Sequence, residues 1–484
     1  MEIDDLTPAE QRVWRAFATG ATVDFRAGAE PDAPGWGPER TVRATVLRAL
    51  LLNGPREAGE VAALKLVGAR ISGELDLRYA HVDSVVRMNR CRFDEVPRIA
   101  GARLSYLNLR DSELPGLASA RVRVDGSLRL TRCRISGPVH LGGAQISGAL
   151  FLDRAELTAR DPAQAVLQLN QVSIDDDLCA RQLRTRGLIR LDGASVAGSI
   201  DLEDAELSNP GGFVLEAEAL TVGANLLGRR LRTRGRIDLR GARVPGRVDL
   251  LHSSLSNPGG TALRASSCVI GEIWLRAGDP MEGMLNLRRA EIGQLSVEPE
   301  MLPDQVRLLD LTYTSLTPHE PAERRLPMLE RDDDAFDPHA YEQLTAAYRR
   351  VGDDQAARLV QLAKQRRRRA TLPWYGRVWG RLQDAAVGYG FRPLRAAVWL
   401  ASLLAVGSIV YAGHRPPALK PSEAPDFDPF FYTLDLLLPV ISFGQESAFA
   451  PTGWYQTLSY VLIVTGWILA TTVVAGVTRT VSRQ

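Results

Sequence analysis

The chain has few cysteines and lacks the short motifs that mark common enzyme sites. Its four cysteines (Cys91, Cys133, Cys179 and Cys268) show no C-x-x-C spacing in 484 residues. Buried reduced thiols are therefore favoured over a disulfide or a metal site. No G-x-G-x-x-G follows a predicted strand, no G-x-x-x-x-G-K-[ST] occurs, and the six histidines have no ligand spacing. We predict a protein with no catalytic residues, no cofactor and no bound metal.

Lysine is nearly absent and the charges are balanced. Lys65, Lys364 and Lys420 are the only lysines among 59 basic residues, which face 57 acidic ones for a formal net charge of +2. This balance predicts neither an acidic mimic of nucleic acid nor a basic nucleic-acid-binding surface. The first residues are acidic and lack an apolar run, so no secretory signal is expected.

A long internal repeat is present instead. Residues 183–230 recur as residues 231–278, 48 positions later, with LRTRG and SNPGG at matching places. A fixed period of this size predicts a stacked solenoid rather than a core around a catalytic cleft. Such a rod grows by stacking coils and leaves a long side wall for binding.

Short alternating runs lie inside the repeat. GELDL at 73–77, GALFL at 148–152, GSIDL at 198–202 and GRVDL at 246–250 place apolar side chains inward and polar ones outward, as in very short strands. Small residues precede the apolar ones and suit tight corners: Ala69, Ala144, Ala155, Ala194, Ala205 and Ala242. Residues 61–316 allow roughly ten coils and a rod about 50 Å long. A β-sandwich is the alternative, but sandwiches do not repeat their turn sequences at a fixed interval.

These runs resemble the pentapeptide-repeat and related right-handed β-helix families, in which a small residue precedes a leucine by two positions. The resemblance implies a mainly β, right-handed β-solenoid. Residues 1–60 read as a helical cap, with a TPAE capping box at 7–10 and a second helix over 40–52.

Two uncharged stretches near the C-terminus predict transmembrane helices. Residues 396–412 and 454–478 carry no charge, and basic residues precede the first stretch and follow the second. We therefore expect a plasma-membrane protein with two spans and both termini in the cytoplasm. The same helices offer a contact for homo-oligomers through GWILA at 466–470.

A helical adaptor is predicted between the rod and these stretches. Residues 317–335 read as a linker, and 336–370 as a helical hairpin broken at GDD (352–354). Residues 371–394 read as an interfacial amphipathic helix with Trp374 and Trp379 as anchors. The basic cluster Arg366, Arg367, Arg368 and Arg369 would attract membrane lipids; the alternative is a solvated charge run that only sets topology.

The segment between the two stretches resembles the pore module of two-span potassium-type channels. An apolar run at 430–438 is followed by a strip in the place of the T-V-G-[YF]-G-D filter: Val440, Ile441, Ser442, Phe443, Gly444 and Gln445. Phe443 and Gly444 match the filter, whereas Val440 lacks the hydroxyl and Ser442 replaces the first glycine. These departures favour a non-conducting, pore-like element over a working channel.

The whole chain resembles an actinobacterial membrane-protein family often labelled "oxidoreductase", members of which have been linked to phage-tail-like contractile injection systems. The resemblance rests on WGPERTVR at 36–43, YEQL at 341–344, GYGFRP at 388–393 and YTLDLLLP at 432–439. It implies a membrane-anchored solenoid scaffold over 61–316, with two helices in 395–484, that docks a protein partner or a large assembly through its wall. A partner-gated channel is the alternative, and an oxidoreductase is a third hypothesis that no residue supports.

Overall fold

The computed structural model describes residues 5–26, 36–159, 164–332, 336–370, 393–420, 424–438 and 442–481. The chain forms two compact units, Met1–Gln343 and Leu344–Gln484. The α-helices are α1 (Pro8–Thr19), α2 (Ala44–Asn53), α3 (Ala322–Glu330), α4 (Pro338–Arg350), α5 (Asp354–Ala370), α6 (Pro393–Gly413), α7 (Pro429–Leu437), α8 (Gln445–Ala448) and α9 (Trp454–Val481). Short 3-10 helices span Pro38–Arg40 and Pro299–Met301.

The first half of the rod is built from very short strands. They are β1 (Thr22–Asp24), β2 (Thr41–Arg43), β3 (Ala63–Val67), β4 (Arg70–Ser72), β5 (His81–Val82), β6 (Val85–Asn89), β7 (Arg92–Phe93), β8 (Arg103–Leu104), β9 (Leu107–Asn108), β10 (Glu113–Leu114), β11 (Leu117–Ala118), β12 (Arg123–Val124), β13 (Leu128–Arg129), β14 (Arg134–Ile135), β15 (Val139–His140), β16 (Gln145–Ile146), β17 (Leu150–Phe151) and β18 (Glu156–Thr158).

Longer strands appear in the second half, where two faces of a coil merge into one strand. The strands are β19 (Ala165–Gln168), β20 (Ser173–Ile174), β21 (Leu178–Cys179), β22 (Arg184–Arg186), β23 (Leu188–Arg190), β24 (Ser195–Val196), β25 (Ile200–Asp201), β26 (Glu206–Glu216), β27 (Thr221–Val222), β28 (Leu226–Leu227), β29 (Arg232–Asp238), β30 (Arg243–Asp249), β31 (Ser254–Arg264), β32 (Val269–Leu275), β33 (Glu282–Asn286), β34 (Glu291–Val297), β35 (Gln305–Arg307) and β36 (Thr312–Thr317).

These strands form a parallel β-solenoid of about eleven turns, which confirms the solenoid prediction. Each strand pairs in parallel with the strand one coil later. Ile146, Ile174, Val196 and Val222 are consecutive members of one inward column, and all are buried. Their outward neighbours on the same strands are polar, because alternation along a strand separates the two faces.

The corners of the coils explain the small residues found in the sequence. Arg154 and Asp204 have φ values of 55° and 56°, in the left-handed region, and each precedes an alanine with no exposed surface. The left-handed residue turns the chain inward, and the alanine then fits against the adjacent coils. All six alanines assigned to corners by the sequence are buried.

The 48-residue repeat has a structural cause. Each 48-residue unit carries one SNPGG loop, in which the side-chain amides of Asn209 and Asn257 donate to the carbonyls of Phe213 and Thr261, each at 2.8 Å. The coil that follows each loop has no SNPGG loop and turns at a single glycine at the corresponding position. A Cβ on Gly235 would lie 2.6 Å from the carbonyl oxygen of Asn209, so glycine is required there.

The N-terminal end of the rod is closed by α1, α2 and two short strands. β1 pairs with β3, and β2 pairs with β4, so this segment adds hydrogen-bonded strands to both sheets. Glu10 lies at the centre: it completes a capping box with Thr7 and receives hydrogen bonds from Arg43 through the backbone (2.9 Å) and the side chain (2.6–2.7 Å). The cap thereby covers the edges of both sheets.

The other end of the rod is covered by α3. Arg325 is 1% exposed, and its guanidinium donates to the carbonyls of Val297 (3.0 Å) and Pro318 (2.6 Å). A buried arginine thus satisfies backbone acceptors that the last coil would otherwise leave unpaired.

In the second unit, α6, α7 and α9 pack around a small aromatic core. Tyr411 and Tyr432 contact edge to face with ring centroids 4.9 Å apart, and the Tyr411 hydroxyl donates to the Tyr455 carbonyl at 3.0 Å. Gly466 allows close approach, since a Cβ there would lie 2.4 Å from the carbonyl oxygen of Leu437 in α7. Gly466, which the sequence suggested as a contact between two copies of the chain, therefore packs against α7 of its own chain.

The prediction of two transmembrane helices is wrong. Crossing a bilayer takes about 20 predominantly apolar residues. Over the part of the chain that the structure describes, no helix has both the length and the apolarity to cross a membrane. Lack of charge is a weaker condition than apolarity: serines interrupt α6 at 402 and 408, and Gln456 and Ser459 lie in the first turns of α9. The two-span plasma-membrane location with cytoplasmic termini is therefore wrong as well.

Candidate functional site

Charged side chains of alternating sign form a column along one face of the rod. Its members are Arg92, Glu113, Arg134, Glu156, Arg184, Glu206 and Arg232, and we call this column the charge ladder. Each occupies the same outward position on successive coils, as the parallel register shows. With strands about 4.8 Å apart, the ladder is about 29 Å long.

Each inner arginine of the ladder lies between two glutamates. Arg134 is 3.9 Å from Glu113 and 3.6 Å from Glu156, and Arg184 is 3.9 Å from Glu156 and 3.6 Å from Glu206. These side chains are between 46% and 70% exposed, so they remain accessible. Opposite charges on adjacent strands stabilise the sheet by roughly 0.2–1 kcal/mol per pair.

The ladder ends in two arginines, Arg92 and Arg232. Within the described residues, neither has a carboxylate oxygen closer than 4.0 Å, although each neighbours a glutamate in the register. Both are exposed. The two ends of the ladder are therefore cationic.

A second column lies beside the ladder at the corner of each coil. We call it the corner column; its members are Arg90, Asp111, Arg132, Arg154, Gln182, Asp204, Arg230 and His252, all with φ between 52° and 62°. Each precedes the corresponding position of the ladder strand by two residues. The left-handed conformation turns these side chains outward next to the ladder.

Hydrogen bonds fix the corner column. The guanidinium of Arg132 donates to Asp111, with one contact at 2.9 Å, and that of Arg230 donates to Asp204 at 2.5 and 2.9 Å. The hydrogen bond from Arg132 lowers the pKa of Asp111, and the hydrogen bond from Arg230 lowers that of Asp204. Both carboxylates therefore stay ionised at neutral pH.

A groove of about 540 Å³ runs between the two columns, from the coil of Arg154 to that of His252. The residues that line it are all polar or charged: arginine, glutamate, aspartate, glutamine and histidine. Held at fixed spacing on a β backbone, these groups can bind ionic side chains in a set order.

The residues of the pore-like strip have a different environment. Val440 and Ile441 lie outside the described residues. Phe443, Gln445 and Glu446 donate backbone N–H groups to the buried carboxylate of Asp435 at 2.5, 2.8 and 3.2 Å. Ser442 donates no such bond but accepts one from the N–H of Gly444 at 3.3 Å.

Asp435 therefore organises this loop, and the sequence reasoning missed it. An ion filter presents carbonyl oxygens, whereas the described part of the loop directs its amides to a carboxylate. Gln445 is also buried and donates its side-chain amide to the Asp426 carbonyl at 3.0 Å. The apolar run in which Asp435 sits was the signal: a single acid among leucines needs buried partners.

The other predicted site residues are not brought together. Arg366, Arg367 and Arg368 are exposed near the end of α5, which also contains Arg369. Trp374 and Trp379 lie outside the described residues. Cys91, Cys133 and Cys268 are buried, as predicted, and burial raises the pKa of these thiols to about 12. Cys179 is half-buried, and burial raises its pKa to about 11.

The charge ladder was also missed, because its members are separated by irregular intervals of 21 to 28 residues. Only the register of the coils brings them into one column. From the sequence alone, Arg184 therefore cannot be distinguished from a surface residue whose substitution has no effect.

Comparisons of the chain with protein-family models, with curated proteins and with solved structures give no match.

Proposed function

We propose that this protein is a non-enzymatic scaffold whose rod docks a protein partner along the charge ladder. The observation that carries the proposal is the strict alternation of arginine and glutamate over seven coils of a rigid β backbone. The proposal retains the docking of a protein partner that the repeat predicted, but it does not include attachment to a membrane.

Rigidity favours binding at this face. Long arginine side chains lose rotamer freedom when they bind, but Arg134 and Arg184 already lie within 3.9 Å of two carboxylates each, which favours a subset of their rotamers. A preorganised surface loses less entropy on association. Alternating charge also selects among partners, because a partner with the wrong order of charges meets like charges.

The alternation also points to the chemistry of the partner. A polyanion such as nucleic acid would meet a glutamate at every second coil, which disfavours it. A protein surface with both signs of charge in regular order satisfies the arginines and the glutamates together. The proposed partner is therefore a protein with a mixed-charge face.

Capture from native extract by the purified full chain tests this function. The ladder variant Arg134→Glu/Arg184→Glu reverses two charges of the ladder. A matched control, Arg123→Glu/Arg243→Glu, makes the same charge change at exposed arginines of the other sheet. Zero-length carbodiimide cross-linking followed by mass spectrometry identifies the captured protein. A differently tagged second copy of the chain is added to the extract, so that self-association is detected as well.

The expected result is a partner cross-linked to ladder glutamates in the wild type and in the control, and lost in the ladder variant. Equal capture by the wild type and the ladder variant would overturn the proposal. Circular dichroism of each variant establishes that the rod is still folded.

A further inference from the structure

We propose that the partner at the charge ladder is a second copy of this chain, packed face to face and antiparallel. This inference rests on the proposed function of the ladder as a docking surface. It follows from the period of the ladder, its sign pattern and the charges of the corner column.

The period of the ladder favours another stack of β-strands. Ladder charges recur about every 4.8 Å, and charges of the same sign about every 9.6 Å. An extended strand repeats a face at about 6.8 Å, and a helix at 5.4 Å per turn, so both lose register over 29 Å. A second β-solenoid has the same spacing and stays in register over the whole ladder.

The sign pattern selects the orientation of the two copies. If the rods were parallel and related by a two-fold axis along them, each ladder residue would face its own equivalent, and all facing charges would be alike. A two-fold axis across the rods reverses one of them and leaves each column opposite the same column of the other copy. Among pairs of rods related by a two-fold axis, only the antiparallel arrangement can therefore oppose arginine to glutamate throughout.

Two antiparallel registers oppose unlike ladder charges over the greatest length. In the first, the axis lies between Glu156 and Arg184. Its facing pairs are Glu113 with Arg232, Arg134 with Glu206, and Glu156 with Arg184, each occurring twice. In the second, the axis lies between Arg134 and Glu156. Its facing pairs are Arg134 with Glu156, Glu113 with Arg184, and Arg92 with Glu206, so Arg92 is paired and Arg232 is not.

The corner column decides between them. In the first register, Asp111 faces Arg230 and Arg132 faces Asp204, so the corner charges are also unlike. In the second register, Arg132 faces Arg154, and two cations oppose each other. The geometry points to the first register, in which Arg232 faces the carboxylate of Glu113 of the other copy.

Sedimentation velocity of the purified full chain tests the proposal. We expect a concentration-dependent dimer in about 50 mM NaCl that weakens in about 500 mM, because salt screens exposed charge pairs. A chain that stays monomeric at low salt over the micromolar range overturns the inference.

Arg92 and Arg232 provide a matched pair of variants. Both are exposed terminal arginines of the ladder, but only Arg232 faces an acid in the proposed register; Arg92 faces Ser254. Arg232→Glu should raise the dimer dissociation constant on the order of tenfold, and Arg92→Glu should raise it by clearly less. A larger effect of Arg92→Glu than of Arg232→Glu would overturn the first register.

A charge exchange at the axis gives the sharpest result. Arg184→Glu and Glu156→Arg should each weaken self-association, since each brings like charges together twice. An equimolar mixture of the two variants should form dimers tighter than either variant forms alone, because each mixed pair again opposes unlike charges. Failure of the mixture to associate overturns the proposed pairing.

The proposal and the function on which it rests fail in different ways. If the chain is monomeric but the ladder variant loses a cross-linked heterologous protein, only the identity of the partner is wrong. If neither self-association nor capture depends on the ladder, the docking function is wrong as well.

Discussion

At the scale of single residues, neighbouring positions on a strand have opposite environments. Val196 is fully buried in the inward column, whereas Ser195 before it is exposed. Val196→Asp should lower the free energy of unfolding by several kcal/mol, because it buries a carboxylate without a partner. Ser195→Asp should change it by about 0.5 kcal/mol or less. Thermal unfolding followed by circular dichroism measures both, and equal melts would contradict the register of the coils.

Glu10 makes the stability of the cap depend on acid. Burial alone would raise its pKa, but hydrogen bonds from Arg43 and Thr7 and the charge of Arg43 outweigh burial and lower the pKa to about 2. A lowered pKa gives stability that is complete above the unfolded pKa, near 4.5, and is lost as pH falls towards 2.

Glu10→Gln should therefore reduce stability by about 3 kcal/mol at pH 7 and should narrow the difference from wild type as pH falls from 4.5 to 2. Chemical denaturation at a series of pH values measures this. A difference from wild type that is constant from pH 7 to pH 2 would argue against an ionised, paired Glu10.

At the scale of elements, the glycine coils depend on the loops that precede them. Gly235 has φ of 128°, and a Cβ there would lie 2.6 and 2.9 Å from the carbonyl oxygens of Asn209 and Gly212. Gly235→Ala should cost about 2 kcal/mol or more and should loosen the SNPGG loop. Gly211→Ala, at φ of 77° with open space around it, should cost less. Amide hydrogen exchange in the loop distinguishes the two, and equal exchange would show that backbone strain alone matters.

The loop after α7 should depend on one carboxylate. Asp435→Ala removes the acceptor of three backbone N–H groups, each of which costs about 1–3 kcal/mol if left unpaired. We expect faster hydrogen exchange at Phe443, Gln445 and Glu446. The exposed Glu446→Ala serves as a control that keeps the acceptor. Unchanged protection in Asp435→Ala would show that the loop is held by other contacts.

At the scale of the whole molecule, both ends of the rod must be covered. Deletion of residues 1–60 removes β1 and β2 and leaves β3 and β4 with unpaired edges. We expect end-to-end association of the truncated chain, since an exposed sheet edge pairs with another. Size-exclusion chromatography at high salt separates this association from the salt-sensitive ladder dimer. A folded, monomeric truncated chain would contradict the role of the cap.

The coil architecture could be predicted from the sequence because it depends on local signals. Alternation identifies the inward residues, and alanine after a turn marks the corners, so Val196 and Ala205 are placed correctly. The charge ladder could not be predicted, because Glu156 and Arg184 are 28 residues apart, whereas Arg134 and Glu156 are 22 apart. The error in the helices has a different origin: residues 396–412 are uncharged, but lack of charge does not make a helix apolar enough to span a membrane.

The two-coil repeat also determines how the length of this rod can change. Within the repeat, each loop coil is followed by a glycine coil, so 48 residues is the smallest segment of the repeat that can be added or removed without leaving a loop carbonyl against a side chain. One more unit inserted at Leu231 would lengthen the rod by about 9.6 Å and leave both caps intact. Because the unit at 183–230 carries one arginine and one glutamate of the ladder, such growth would preserve the alternation of charge along the ladder. Variants of this chain that differ within the repeat should therefore differ in length by steps of two coils.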